Sequence, residues 1–172
     1  FGIPVTVSDE TDQLLDTGGA LKKAAPLLAG DEPVLIYNVD VLSNLKITDL
    51  LSEHIRSKAL ATLVVRDRPT QRYFKFDREK QLAGWLNKAS GEKIISVPGK
   101  FKDATEKAFS GIHIVDPKIF ELFPAGDRFS VTRWYLDLAQ DHSIKGFFDT
   151  SLQWMDVGKP EQLQEARKRW KG

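Results

Sequence analysis

The chain has 172 residues, of which 41% are hydrophobic and 28% are charged, as in one globular domain with a hydrophobic core. Its formal net charge of +1 provides no basic field that would attract nucleic acid. It contains no Cys, which excludes disulfides, thiolate nucleophiles and thiolate metal ligands and makes a cytoplasmic location the default expectation. No apolar run approaches the roughly 20 residues of a membrane span, so no membrane partner is expected.

The first half of the chain alternates predicted strands and helices. Strands are predicted for "IPVTVS", "PVLIYNVD" and "ALATLVVRD", which are β-branched or continuously apolar. Between them, "GGALKKAAPLLAG" predicts a short helix that Gly30 ends, and "ITDLLSEHIRSK" predicts a helix with Thr48 as its N-cap. This β-α-β-α-β order is typical of a parallel or mostly parallel sheet covered by helices.

The second half begins with an inserted β-rich part. The stretches "RYFKFD" and "LAGWLNK" predict a hairpin, and "AFSGIHIVD" predicts a strand interrupted by Gly111. Helices are predicted for "PKIFELF", "VTRWYLDLAQD" and "PEQLQEARKRW", and short strands for "IKGFFDT" and "QWMDVG". No linker or repeat divides the chain, so residues 1–172 are interpreted as one domain.

Two features could carry chemistry. Gly18 and Gly19 follow Thr17 at a predicted helix N-terminus, where backbone N–H groups favour an anionic or flat ligand, although a glycine pair before a helix is more often only a tight turn. Asp40 and Asp156 each end a predicted strand, and ligands of open α/β sheets bind at the carboxyl ends of strands. Two carboxylates meeting there would suit Mg²⁺, but each Asp could also be a turn residue or a cap.

The three histidines offer no catalytic arrangement. His54 is expected on an exposed helix face, His113 lies within a strand, and His142 lies in a turn. None has a partner nearby in the sequence, so structural roles are expected for all three.

These motifs, taken in order, resemble those of the sugar-1-phosphate nucleotidyltransferases, in particular the mannose-1-phosphate guanylyltransferase and N-acetylmuramate-1-phosphate uridylyltransferase group. The stretch "LLDTGGALKKAAPLL" is similar to that group's Thr-Gly-Gly segment beside the nucleotide base, and "VLIYNVDVL" is similar to its metal-binding strand end. The most specific similarity is that of "WMDVGKPEQLQEA" to the run that carries the second metal-binding Asp.

The resemblance implies a fold and a set of site residues. The implied fold is a Rossmann-like α/β domain of the nucleotide-diphospho-sugar transferase type, with a mixed, mostly parallel sheet, flanking helices and a small β-rich insertion. The implied substrates are a nucleoside triphosphate and a sugar 1-phosphate, with Mg²⁺ as cofactor. Asp40 and Asp156 would be catalytic and hold the metal; the nucleotide would contact Thr17, Gly18, Gly19 and Asn38; the sugar would contact Lys88, Ser110 and Gly111.

One family motif has no counterpart in this sequence. In the family a first strand leads into a loop of the type Gly-x-Gly-x-Arg-x-x-Pro-x-Thr, which cradles the triphosphate, whereas no such loop occurs here and the sequence begins at Phe1. We therefore expect an N-terminally truncated domain that is inactive alone. Its exposed apolar sheet edge would pair with a second copy or with the missing segment.

Two other functions remain open from the sequence. The same fold without its phosphate loop could be a non-catalytic nucleotide-sugar-binding or regulatory module, although such a module has no need of two metal-binding carboxylates. A plain doubly wound domain whose acidic residues are caps is the second alternative. Metal-dependent binding of a nucleotide-sugar would favour the enzyme over both.

Overall fold

The secondary structure follows the predicted order for most of the chain. The computed structural model describes residues 2–28, 30–150 and 153–170. Within these ranges the strands are β1 (Val34–Tyr37), β2 (Val41–Ser43), β3 (Ala61–Arg66), β4 (Arg72–Phe76), β5 (Leu82–Asn87), β6 (Lys93–Ile95), β7 (Thr105–Val115), β8 (Ile144–Phe148) and β9 (Trp154–Asp156). The helices are α1 (Asp16–Ala24), α2 (Ile47–Ser57), α3 (Pro98–Phe101), α4 (Val131–Leu138) and α5 (Pro160–Arg169), with 3-10 turns at Ala25–Leu28 and Pro117–Leu122.

The main sheet is mixed, which confirms the predicted α/β class with flanking helices. Its strands lie in the order β6-β5-β4-β7-β3-β8, and β1 also pairs with β7. The prediction that this sheet is mostly parallel is wrong for the strands that the structure describes. Only the β3–β8 pairing is parallel among the described residues, and β7 runs antiparallel to β1, β3 and β4.

The long strand β7 explains this difference. Val115 of β7 pairs with Val34 on one edge and with Ala61 on the other. Strands β1 and β3 are therefore parallel to each other, as a β-α-β unit requires, but β7 lies between them. Hydrophobic periodicity does not record strand direction, so the sequence pattern could not show that a later strand separates the first two.

Two clusters of apolar side chains cover the two faces of the sheet. Along β3, Leu63 belongs to the larger cluster, which includes Trp134 and Tyr135 of α4, whereas Val64 belongs to a smaller cluster with Leu50 of α2. Successive side chains of a strand point to opposite faces, so a strand buried along its whole length needs helices on both sides. The continuous apolar run "ATLVV" in β3 is the sequence signal of that burial.

His113 lies inside the larger layer of the core. Its ring stacks on Phe109 with centroids 5.6 Å apart and meets the edge of Tyr135 at 5.5 Å. Neither ring nitrogen of His113 has a hydrogen-bond partner in the described part of the chain. Burial lowers the pKa of His113 to about 3, which keeps the imidazole neutral at physiological pH.

Three local predictions are wrong. Residues 3–8 form no strand; Ile3, Val5 and Val7 are exposed, because no neighbouring strand pairs with this stretch in the described residues. Thr48 does not cap α2, which begins at Ile47 after Lys46. His54 is buried rather than exposed, and its Nδ1 shares a hydrogen bond of 2.8 Å with Oγ1 of Thr62.

Strand β1 has one free edge. It pairs with β7 only, and no second strand borders it among the described residues. The side chains of Leu35 and Tyr37 on it are exposed.

None of the helices within the described ranges combines the length and apolarity needed to cross a bilayer.

Candidate active site

A short two-stranded ribbon brings Asp40 and Asp156 together. Strands β2 and β9 pair antiparallel, with Val41 opposite Asp156, and the N–H of Val157 donates to the carbonyl oxygen of Asp40 at 2.7 Å. A Cβ atom built on Gly158 would lie 3.0 Å from Oδ2 of Asp40 and 3.2 Å from Oδ1 of Asp156. Both carboxylates therefore lie against the same glycine, although 116 positions (156 − 40) separate them in the sequence.

The surroundings of this carboxylate pair suit a hard cation. Both side chains are exposed, and neither forms an ion pair within the described part of the chain. The N–H of Gly158 donates to Oδ1 of Asp156 at 2.9 Å and orients that carboxylate. The missing side chain of Gly158 leaves space beside both groups, so the residues fit Mg²⁺, which commonly takes one or two carboxylates and completes its shell with water or phosphate oxygens.

Backbone hydrogen bonds near Gly111 hold the segment that carries Asp40. The N–H of Asn38 donates to the carbonyl oxygen of Gly111 at 2.9 Å, and the N–H of Val41 donates to that of Asn38 at 3.1 Å. Gly111 has a φ of +75°, and a Cβ on it would lie 2.9 Å from Nδ2 of Asn38. The pairing of β3 with β7 shifts register at this point, so glycine permits a bulge and a close approach.

A hydrogen bond between Trp154 and Ser110 holds β9, the strand that ends at Asp156. The indole Nε1–H of Trp154 donates to the carbonyl oxygen of Ser110 at 3.0 Å, which ties β9 to β7. Ser110 is buried, and its hydroxyl has no partner in the described residues. Ser110 and Gly111 thus lie beneath the carboxylate ribbon, and their predicted contact with a sugar stays a prediction.

The Thr-Gly-Gly segment forms a helix–loop junction. The hydroxyl of Thr17 accepts a hydrogen bond from the N–H of Val131 at 3.1 Å, and the N–H groups of Gly18 and Gly19 both donate to the carbonyl oxygen of Phe129. A Cβ on Gly19 would lie 1.9 Å from the carbonyl oxygen of Asp127. The backbone donors that the sequence offered to a nucleotide are therefore engaged within the protein, and the predicted nucleotide contact remains untested.

Lys88 lies at the end of the hairpin and is already paired. Its Nζ forms an ion pair of 2.6 Å with Oε2 of Glu106 and lies 4.7 Å from the ring centroid of Tyr73. The hydrogen bond that Lys88 donates to Glu106 raises the pKa of Lys88 above its ordinary value. The role of Lys88 in sugar binding stays a prediction.

The sequence interpretation missed a cavity of about 430 Å³ between the hairpin, β7 and α4. We call it the arginine cavity, because its lining includes Arg68, Arg72 and Arg133 together with Glu92, Trp85 and Phe109. Its volume lies within the range of small-molecule sites. The available signal was "RDRPTQR", three arginines directly after a buried strand, but the other lining residues come from distant segments.

Arg68 links this cavity to the carboxylate pair. Its guanidinium lies 4.6 Å from the ring centroid of Trp154, and its Nη2 donates to the carbonyl oxygen of Phe109 at 3.0 Å. Burial lowers the pKa of Arg68, while the nearby charge of Asp156 opposes that shift. Arg68 of the cavity thus packs on Trp154, which lies on the same strand β9 as Asp156.

Comparison with known proteins identifies the family. The family model described as "Nucleotidyl transferase" matches residues 1–171. The chain belongs to the nucleotidyl transferase family. It is 31% identical over 174 residues to the N-acetylmuramate alpha-1-phosphate uridylyltransferase of Caulobacter vibrioides, which covers 96% of this chain and 65% of that protein. It is 27% identical over 167 residues to the mannose-1-phosphate guanyltransferase of Yarrowia lipolytica, covering 95% of this chain and 43% of that protein.

A solved structure shows the same fold. A protein of Bacillus anthracis described as a glucose-1-phosphate thymidylyltransferase, in complex with a sucrose, superposes with a TM-score of 0.67 at 18% sequence identity. The match covers 92% of this chain and 62% of that one. This nucleotidyl transferase chain therefore spans less than two thirds of the length of these relatives.

Proposed function

We propose that this chain belongs to an enzyme that transfers a nucleotidyl group from a nucleoside triphosphate to a sugar 1-phosphate, giving a nucleotide-sugar and pyrophosphate. The observation that carries the proposal is the convergence of Asp40 and Asp156 on Gly158. Its setting in a nucleotidyl transferase fold supports it, as do two relatives named for sugar 1-phosphates. Two unpaired, exposed carboxylates at one point cost electrostatic energy unless a cation or a cationic ligand joins them.

The reaction requires positioning rather than covalent help from the protein. One oxygen of the sugar 1-phosphate forms a bond to the α-phosphorus of the triphosphate. The bond from that phosphorus to the oxygen bridging the β-phosphorus breaks, and pyrophosphate leaves with the electron pair. Bound Mg²⁺ would neutralise charge on the phosphate oxygens. Asp40 and Asp156 would hold the cation, and the pairing of their ribbon keeps the two carboxylates in one place without rearrangement.

The remaining predicted contacts belong to the same proposal. Thr17, Gly18, Gly19 and Asn38 would lie near the nucleotide, and Lys88, Ser110 and Gly111 near the sugar. A cytoplasmic location also belongs to it, as does pairing of the free β1 edge with a second copy or a further segment. The free edge, with Leu35 and Tyr37 exposed, supports that pairing.

The test is metal-dependent binding together with turnover. Asp40→Asn and Asp156→Asn should abolish the Mg²⁺ dependence of nucleotide-sugar binding in calorimetry, and in the intact enzyme each should lower turnover at least about a hundredfold. Asp31→Asn removes a charge from an exposed carboxylate elsewhere and should change neither measurement. Binding that ignores Mg²⁺ in the unsubstituted chain would favour the regulatory-module alternative, and near-normal turnover of either variant would refute the metal assignment.

A further inference from the structure

Trp154 joins strand β9 to the main sheet. Among the described residues β9 pairs with β2 only, in a sheet separate from the main one. The indole Nε1–H of Trp154 donates to the carbonyl oxygen of Ser110 in β7 at 3.0 Å, and the ring packs against the smaller core cluster. The position of Asp156, two residues later on the same strand, therefore depends on this indole.

The guanidinium of Arg68 lies over the ring of Trp154. Its central carbon is 4.6 Å from the ring centroid, within the range of a cation–π contact. Nη2 of Arg68 donates to the carbonyl oxygen of Phe109 at 3.0 Å, and the carbonyl oxygen of Arg68 accepts from the hydroxyl of Tyr73 at 3.4 Å. Strands β7 and β4 therefore fix Arg68 in place over the indole.

No carboxylate takes up the charge of Arg68. None of the ion pairs in the described part of the chain includes it, whereas Arg66, 5.9 Å from the same ring, is paired with Asp149 at 3.6 Å. Partial burial disfavours the charged guanidinium and lowers the pKa of Arg68. The contact with the indole offsets part of that cost. A half-buried arginine that stacks without an ion pair points to a role for its planar group.

We propose that Arg68 is a positioning residue of the carboxylate pair. Its guanidinium fixes the ring of Trp154, the ring fixes β9, and β9 holds Asp156 where it can share one divalent cation with Asp40. Mg²⁺ requires near-ideal octahedral geometry, so a small displacement of one carboxylate lowers the affinity. The proposal rests on the proposed function, because it takes Asp40 and Asp156 as metal ligands.

The charge of Arg68, taken alone, predicts the opposite effect. A guanidinium near a cation site repels the cation, so loss of that charge would raise the metal affinity. At about 0.15 M salt such repulsion is screened over roughly 8 Å. Loss of the stack, in contrast, frees the indole and lets β9 move, which lowers the metal affinity. The direction of the change therefore separates positioning from charge.

The test is binding of Mn²⁺ to the chain without nucleotide, measured from the EPR signal of free Mn²⁺ at about 0.15 M salt, with Mg²⁺ as competitor. Arg68→Gln and Arg68→Lys should each weaken binding about three- to tenfold, because neither side chain places a planar cation on the indole. Unchanged or tighter binding by Arg68→Gln overturns the proposal. Full affinity of Arg68→Lys also overturns it, because the charge alone would then suffice.

A double-substitution cycle tests the route through the indole. Trp154→Leu removes the ring and should weaken Mn²⁺ binding by at least the factor seen for Arg68→Gln. Adding Arg68→Gln to Trp154→Leu should weaken binding no further, because the arginine then has no ring to hold. Two losses that simply multiply would overturn the proposal. If Trp154→Leu does not fold, the two Arg68 variants decide the question.

Controls separate this proposal from the proposed function. Lys75→Gln removes a cation from another aromatic ring, that of Phe101 at 5.0 Å, and should leave Mn²⁺ binding unchanged. Equal weakening by Lys75→Gln would overturn the positioning role, and thermal unfolding checks that each variant is folded. Normal binding by both Arg68 variants overturns this proposal alone. Absence of binding to the unsubstituted chain, or binding that Asp156→Asn does not weaken, overturns the metal site and with it both proposals.

Discussion

Lowering the pH should destabilise this protein in part through the buried side chain of His113. The pKa of His113 is about 3 in the folded chain, against an ordinary value of 6.5. Between these values the unfolded chain binds a proton that the folded chain does not, so the free energy of unfolding falls as the pH drops below 6.5. At pH 5, about 1.5 units below the ordinary value, the loss is about 2 kcal/mol, since one unit corresponds to about 1.4 kcal/mol.

The assay is urea unfolding of the unsubstituted chain and of His113→Leu at pH 7 and pH 5. Leucine is of similar size and does not titrate, so the stability of the variant relative to the unsubstituted chain should rise by about 2 kcal/mol between the two pH values. At pH 7 the variant should be at least as stable, because both ring nitrogens of His113 are buried without a partner among the described residues. His142→Gln, at an exposed turn position, is the matched control.

Parallel pH dependence of the two proteins would refute this reasoning. It would mean that the folded chain takes up the proton on His113 as readily as the unfolded chain does. The aromatic contacts around the ring would then have to open at little cost, which contradicts the packing against Phe109 and Tyr135.

Four further predictions concern two glycines, one indole and the isolated chain. Gly158→Ala should weaken Mg²⁺-dependent nucleotide-sugar binding with little loss of stability, because its Cβ would enter the space between Asp40 and Asp156; unchanged binding in calorimetry would contradict this. Gly19→Ala should cost about 1–3 kcal/mol in urea unfolding through overlap with a backbone carbonyl, whereas Gly99→Ala, with open space around it, should not. Trp154→Phe should cost about 1 kcal/mol by removing the hydrogen bond to Ser110. The 172-residue chain alone should show no pyrophosphate release from a nucleoside triphosphate and a sugar 1-phosphate, because no Gly-x-Gly-x-Arg loop occurs in it; robust release would overturn that expectation.

Local sequence patterns predicted most helices and strands because the physics that forms them is local. The apolar run of β3, the hairpin of β4 and β5 and the Pro-initiated α5 all appear where their patterns place them. Residues 3–8 have a strand-like pattern without a strand, because pairing depends on a neighbour that the described part of the chain does not supply.

One part of the candidate site could be predicted from the sequence, and the other part could not. Asp40 and Asp156 could be proposed as a pair because both end predicted strands, and the β2–β9 ribbon brings them together. The arginine cavity could not be predicted, because Arg72, Glu92 and Arg133 meet only after the hairpin, β7 and α4 have packed. No period or spacing in the sequence encodes such a meeting.

The separation of the β2–β9 ribbon from the main sheet has a consequence for evolution and design. The ribbon is a sheet of its own, whereas Arg72 and Trp85 of the arginine cavity lie on the hairpin of the main sheet. Substitutions in the hairpin can therefore reshape the arginine cavity without displacing the two acids. A fold divided in this way can vary the lining of its cavity by exchanging one hairpin while the geometry of the carboxylate pair stays the same.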